Sequence, residues 1–334
     1  MKSPIVLYEP PKRARTDYRI GLSAWTDKSL LDEATFYPRK TMTAEERLWW
    51  YSRFFDAVEV TSSFYAIPSA ATTALWARRT PPGFMFNAKA YGLLTGHYLD
   101  VAQLPDALKK MLPRTQRARP RVPSDILGSK ARSWAFGELR KGLQPLQLTG
   151  KLGYVLFELA RSLTPTDETL SYLTTLPHEI PYAAVAVEFR NRSWFGERTD
   201  KTLQFLKDHG LTYVSVDGPR SWATMLPAVT SPTAVFRLHG RGKQRSASKK
   251  CDYLYNDNEL QSIARIASAF NGRADRVHLA MNNNRHDFSV INGLKLKEML
   301  VGDWHPPDRQ ALIEELEERR SASKTTKKHR GHAA

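Results

Sequence analysis

Three short apolar runs in this chain each carry a charge that burial should penalise. They are Ala57–Val60 (AVEV) with Glu59, Ala184–Phe189 (AVAVEF) with Glu188, and Ala234–Leu238 (AVFRL) with Arg237. A charge inside an apolar run is costly unless it is paired. Other apolar runs finish in the same manner. Lys89 closes FMFNAK ahead of Thr95 and His97, Glu158 follows LGYVLF, and Asp217 follows YVSV. Arg190 and Trp194 come after Glu188, His239 and Arg241 come after Arg237, and Asn282, Asn283 and Asn284 follow RVHLAM. Glu59, Glu158, Glu188 and Asp217 stand against Lys89, Arg190, Arg237 and Arg241, and His97 and His239 can switch charge near neutrality. A divalent-metal site usually shows more oxygen and histidine ligands than cations, so this balance demands no metal and no cofactor. It suits a polar or anionic small molecule clamped by arginine, with a carboxylate of raised pKa as acid or base. Glu59, Glu188, Lys89 and Asp217 are the expected catalytic groups. Trp25, Phe64, Tyr65, His97, Arg190, Trp194, Arg237, His239, Arg241, Tyr253, Asn282 and Asn283 are the expected binding groups, the aromatic ones by stacking on a sugar or base.

Such scattered residues meet only if the elements carrying them share one end. Eight short runs read as strands: Arg19–Ser23, Ala57–Val60, Phe84–Lys89, Leu152–Phe157, Ala184–Phe189, Tyr213–Val216, Ala234–Leu238 and Arg276–Met281. Several are almost wholly apolar, as in a parallel sheet buried on both faces. Helical patterns intervene at Thr43–Phe55, Ala70–Arg79, Leu104–Leu112, Thr166–Leu176, Thr199–His209 and Asp257–Phe270, with Thr43 and Thr166 as N-caps and Gly210 after the fifth. This alternation predicts an α/β fold, a (β/α)8 TIM barrel, with residues 19–318 as the barrel domain. No G-x-G-x-x-G follows the first strand and no P-loop motif occurs, which counts against a doubly wound nucleotide-binding sheet. The expected site is the C-terminal mouth, where barrel loops do chemistry.

The formal charge of +16 is unevenly placed. Residues 1–19 carry +3, residues 114–141 carry +6 and residues 319–334 carry +6, so the remainder is close to neutral. Residues 1–18 read as a basic, Pro-rich arm, residues 113–150 as a basic insertion between strands three and four with a helix around Lys130–Lys141, and residues 319–334 as a disordered basic tail. Such segments attract polyanions, nucleic acid included, through a salt-sensitive field. No apolar run reaches the roughly 18 residues of a membrane span, and the N-terminus lacks a secretory signal's apolar core. The lone Cys251 allows no internal disulfide and fits a reducing, cytoplasmic setting. Lys249 and Lys250 would lower its pKa, but no histidine is visibly paired with it. Tyr253 and Tyr255 follow in a loop expected to cover the mouth.

The strand-end residues also carry a family likeness. IGLSAW at 20–25, FYP at 36–38, VEVTSSFYAIPS at 58–69, TPPGFMFNAKAYGLLTGH at 80–97, VEFRNRSW at 187–194, FRLHGR at 236–241 and NNN at 282–284 together resemble the YecE-like family, domain of unknown function 72. The resemblance spans about residues 19–300 and implies a (β/α)8 barrel, without implying a particular reaction. Two departures stand out. The family's first motif more often reads G-T-S-G-W where this chain has Gly21-Leu22-Ser23-Ala24-Trp25, and its usual F-Q-L-P-P after strand four is Phe157-Glu158-Leu159-Ala160-Arg161 here.

Three functions fit these residues. The first is an enzyme acting on a polar anionic or sugar-like substrate by carboxylate acid/base chemistry. The second is a metal-dependent phosphodiesterase or nuclease-like enzyme, in which Glu59, Glu188, Asp217, His97 and His239 would ligate a divalent metal. The third is non-catalytic binding of nucleic acid or another polyanion through the basic insertion and tail.

Overall fold

The architecture is that of a computed structural model, which describes residues 5–8, 10, 15–32, 35–219, 225–242 and 252–330. Eight parallel strands close into a barrel: β1 (Asp17–Leu22), β2 (Ala57–Val60), β3 (Met85–Lys89), β4 (Leu152–Glu158), β5 (Ala184–Glu188), β6 (Thr212–Asp217), β7 (Thr233–Leu238) and β8 (Arg276–Met281). Each neighbour pairs with the next, and β8 returns to β1. All eight expected runs are strands, displaced by no more than two residues at either end. Side chains alternate across each strand. Leu22, Val58, Phe86, Val155, Val187, Phe236 and Leu279 therefore join the apolar layer under the helices. Tyr154, Leu156, Ala186, Val214, Val216 and Val235 form a separate cluster inside the barrel.

The outer ring is built by α1 (Ala44–Phe54), α2 (Ala70–Arg78), α3 (Gly128–Leu148), α4 (Asp167–Glu179), α5 (Thr199–Asp208), α6 (Asp257–Ser268) and α7 (Phe288–Leu300). Thr43 caps α1 in a reciprocal box with Glu46, with N–H to oxygen distances of 3.2 and 2.7 Å. Thr166 caps α4, and Gly210 takes the left-handed conformation just after α5. Two buried lysines serve helix ends, not the mouth. Lys151 donates to the carbonyls of Ala77 and Thr80 at 2.7 Å, and Lys297 to Phe54 at 3.0 Å. No helix separates β6 from β7 among the described residues. There, Ala228–Val229 pairs in parallel with Ile5–Val6 of the N-terminal arm. No described helix is long and apolar enough to cross a membrane.

Two expectations need refinement. The segment 113–150 is not wholly an addition, because α3 within it is the barrel's own helix between β3 and β4. The extra material is residues 98–127, where Tyr98–Asp100 and Arg121–Pro123 pair as an antiparallel ribbon. Helix α8 (Arg309–Arg330) begins ahead of the basic tail and continues past Arg319. Buried Leu312 and Leu316 hold that helix to the barrel, and Arg320 pairs with Glu46 at 2.6 Å. Cys251, Lys249 and Lys250 fall outside the described residues, as do residues 331–334.

The β1–β2 seam has the narrowest tolerance. Gly21 lies opposite Ala57, and a Cβ at Gly21 would sit 1.9 Å from the Ala57 carbonyl oxygen. Tyr51 of α1 spans the same seam, accepting the Leu22 N–H and donating to the Ala57 carbonyl, both at 2.8 Å. Gly21→Ala should therefore lower the urea midpoint by the equivalent of about 1–3 kcal/mol through overpacking. A midpoint equal to that of the parent protein would mean that the seam opens freely.

Candidate ion-lined active site at the barrel mouth

Pleat alternation decides which strand-end residues meet. Glu59, Lys89, Glu158, Glu188, Arg237, His239 and Asn282 share the inward parity of their strands and converge at the C-terminal end. Arg237 is the hub and is 1% exposed. Its Nε and Nη2 donate to the two oxygens of Glu59 at 3.1 and 2.7 Å, a bidentate pair. Its Nη1 donates to Glu158 at 3.0 Å and to Glu188. Glu158 and Glu188 are neighbours in the β4–β5 register, so two like charges sit side by side. Arg190 bridges them at 2.8 and 3.3 Å, and Lys89 adds a contact to Glu158 at 2.9 Å. Three carboxylates thus meet three cations. Glu59 and Glu188 are sealed, while Lys89, Glu158 and Arg190 keep 12–19% of their side chains exposed.

The ionisation states follow from that layout. Burial and the Glu188 charge push Glu158 up, but Lys89, Arg237 and Arg190 outweigh them and hold its carboxyl at about 2. Burial likewise raises Glu188, and Arg237, His239 and Arg190 drive it well below the usual carboxylate range. This corrects the expectation of a carboxylate with raised pKa, since both remain anions at neutral pH. Burial lowers His239 despite Glu188 3.7 Å away, and burial also lowers His97. Both imidazoles are therefore neutral near pH 7. Asn282 Nδ2 stands 2.7 Å from His239 Nδ1, and Thr95 Oγ1 stands 2.8 Å from His97 Nδ1.

The aromatic rim is partly as expected. Lys89 lies 4.4 Å over the Phe64 ring, which meets Tyr65 and His97 edge-on, each at 5.0 Å. Tyr65 is 65% exposed. Trp25 and Trp194 are not at the mouth. Trp25 packs in the outer layer against Trp76 and Phe86, and Trp194 is buried 4.4 Å from Phe189 with its indole N–H on the Leu163 carbonyl. Both are core residues.

Asp217 also leaves the expected set. It falls on the outward parity of β6, and Arg241 chelates it at 2.9 and 3.0 Å. Arg241 continues to Glu259, which accepts from Tyr253 at 2.7 Å. Asn283 is buried and donates to the Tyr253 carbonyl and to Asn292, each at 2.9 Å. Tyr255 accepts the Gly240 N–H at 2.8 Å. Asp217, Arg241, Tyr253 and Asn283 thus fasten the segment after β7 beside the mouth and do not face its centre. The ligand set for a divalent metal is divided accordingly. Glu59 is spent on Arg237 and Asp217 on Arg241, and no three of His, Cys, Asp and Glu converge as a cation site among the described residues.

A layer beneath the cluster escaped the sequence reading. Tyr154 donates to Glu59 at 2.8 Å, Asn87 accepts the Tyr154 N–H at 3.2 Å, and His278 meets Asn87 at 3.3 Å and the Tyr154 ring at 5.1 Å. Burial holds His278 well below the usual imidazole range. The signal was present in polar residues two or four positions before the mouth groups: Asn87 before Lys89, Tyr154 before Glu158, and His278 before Asn282.

A family model described as protein of unknown function DUF72 matches residues 19–314, a span that holds every mouth residue above. The UPF0759 protein YunF of Bacillus subtilis is 29% identical over 295 residues, covering 84% of this chain and 94% of that protein. A crystal structure of a DUF72 family protein from Enterococcus faecalis superposes with a TM-score of 0.67 at 21% identity, over 86% of this chain and 99% of the other. One from Thermotoga maritima gives 0.66 at 25% identity, over 85% and 99%.

Proposed function

The chain belongs to the DUF72 family, and from that footing we propose that its barrel mouth is an enzyme site for a polar, anionic, sugar-like small molecule. The observation that carries this reading is the convergence of three carboxylates and three cations from separate strands and loops on one mouth, with Lys89, Glu158 and Arg190 left partly open. Lys89 and Arg190 take the ligand's anionic group, and Phe64 and Tyr65 lie against its ring. Glu59, Glu158 and Glu188 hold Arg237 and the two open cations in place, Glu158 and Glu188 as anions at neutral pH. Proton exchange falls to the neutral imidazoles, His97 at the rim and His239 behind it, because a carboxyl held at about 2 is too weak a base near neutrality. Preorganised charge of this kind stabilises negative charge developing on a bound substrate.

The test is thermal unfolding with glucose 6-phosphate, glucuronate and uncharged glucose. A saturating anionic ligand at about 100 times its Kd stabilises by about 2.7 kcal/mol, which is about 4 °C for a domain of this size. The expected result is a saturable rise with an anionic sugar, none with glucose, and loss of that rise in Lys89→Ala. An equal rise in the parent and the variant, or none with either anionic sugar, would defeat the reading.

A further inference from the structure

Several arginines of this protein are held by acids. Arg79 pairs with Glu45, Arg140 with Glu179, Arg276 with Asp17 and Arg320 with Glu46. The crossover between β3 and α3 concentrates cations that are not so held. Residues 98–132 hold eight Lys/Arg against three Asp, net +5. Lys110, Arg114, Arg119, Arg121 and Lys130 are exposed there and stand in no ion pair among the described residues. Arg117 braces the turn, donating to the Leu112 and Lys110 carbonyls at 3.2 and 3.1 Å.

The ribbon in this crossover has two unlike faces. Leu99 and Val122 point inward and are buried, whereas Tyr98 and Arg121 point outward. Tyr98 is 61% exposed, which gives a solvent-facing aromatic on the same face as Arg121 and its cross-strand neighbour Asp100. The ribbon adjoins the mouth directly, because Tyr98 follows His97, and Arg121 is close enough for its charge to depress the His97 imidazole. From His97 the aromatic edge continues through Phe64 to the exposed Tyr65.

We propose that this crossover is a binding surface for single-stranded nucleic acid, with Lys110, Arg114, Arg119 and Arg121 on the phosphates and Tyr98 stacked on an unpaired base. Unpaired cations lower the free energy of a phosphate backbone by releasing its counterions. An exposed aromatic beside them selects strands whose bases are free to stack, which a duplex does not offer. The surface requires no chemistry at the mouth, so it stands or falls separately from the enzyme reading.

Fluorescence anisotropy of the full chain with oligo-U and oligo-dT of about 20 nucleotides, over a range of salt, tests this. Log affinity should fall with log salt at a slope of about −0.7 for each phosphate engaged. The triple variant Lys110→Ala, Arg114→Ala, Arg119→Ala should bind about tenfold or more weakly, with a slope shallower by about 2. Tyr98→Ala should weaken binding about fivefold or more and leave the slope unchanged. Tighter binding of oligo-U assigns the surface to RNA, and tighter binding of oligo-dT assigns it to DNA. Unchanged binding by the triple variant overturns the proposal. So does a duplex held as tightly as the single strands with Tyr98→Ala neutral, which would leave only a general attraction for polyanions.

Discussion

Arg237→Met should lower stability at neutral pH by about 3–5 kcal/mol, as removal of one partner from a buried charge cluster does. Arg237 donates to Glu59, Glu158 and Glu188 together, and two of those carboxylates have no exposure to water. Methionine of similar length fills space but leaves three anions facing one another. Lys89 and Arg190 still reach Glu158, and Arg190 still reaches Glu188, but Glu59 keeps only the Tyr154 hydroxyl. The sign of the pH response identifies the cause. Burial already pushes Glu158 and Glu188 up, and without the hub cation that push dominates. The variant's folded state then gains protons more readily than its unfolded chain, so its deficit against the parent should shrink as pH falls toward 5. Adding Glu59→Gln to Arg237→Met should recover part of the loss by removing the most isolated anion. Urea unfolding at two pH values measures all of this. A deficit under about 0.5 kcal/mol, the usual scale of a surface substitution, would show that the cluster is not the buried network described.

How far the site could be read in advance depended on the pleat. The eight strands were legible because each is an apolar run of barrel-strand length, and the helices because Thr43, Thr166 and Gly210 mark their ends. Glu59, Glu188 and Arg237 were legible as charges inside such runs. What composition alone could not give is parity. Asp217 stands one residue after Val216, and that single step turns it outward to Arg241 while Val216 joins the barrel interior. Trp25 and Trp194 looked like exposed stacking groups because they follow strand ends, yet the loops fold them back into the apolar layer. The sign of the carboxylate shifts was also hidden. Burial alone would raise Glu158 and Glu188, and only the convergence of three cations from different segments reverses it. The C-terminal helix escaped because its basic sequence reads as solvated, while Leu312, Leu316 and the Arg320–Glu46 pair supply the docking.

Acid should destabilise this protein from about pH 6.5 downward, well above the range where its carboxylates titrate. His239 and His278 are buried and neutral, and burial depresses both below the value of about 6.5 that an unfolded chain would show. Below that pH the unfolded chain takes up protons that the folded barrel refuses, so the stability present at higher pH is lost as pH falls. A fully depressed imidazole contributes about 1.4 kcal/mol per pH unit; His278 approaches that, and His239 adds to it with the same sign. His97, which is partly exposed, adds less. His278 lies furthest below its ordinary value, so its contribution should persist to the lowest pH. Below the ordinary carboxylate range, Glu158 and Glu188 act with the same sign, because their folded values are lowered too. Urea unfolding from pH 8 to 5 should therefore show a plateau above about 7 and a steep fall below about 6.5. His278→Gln keeps a polar group beside Asn87, cannot be protonated in this range, and should remove the larger share of the slope even if its plateau is lower. A flat profile down to pH 5 would mean that the two imidazoles take up protons inside the barrel, and the neutral proton-exchange pair at the mouth would have to be abandoned with it.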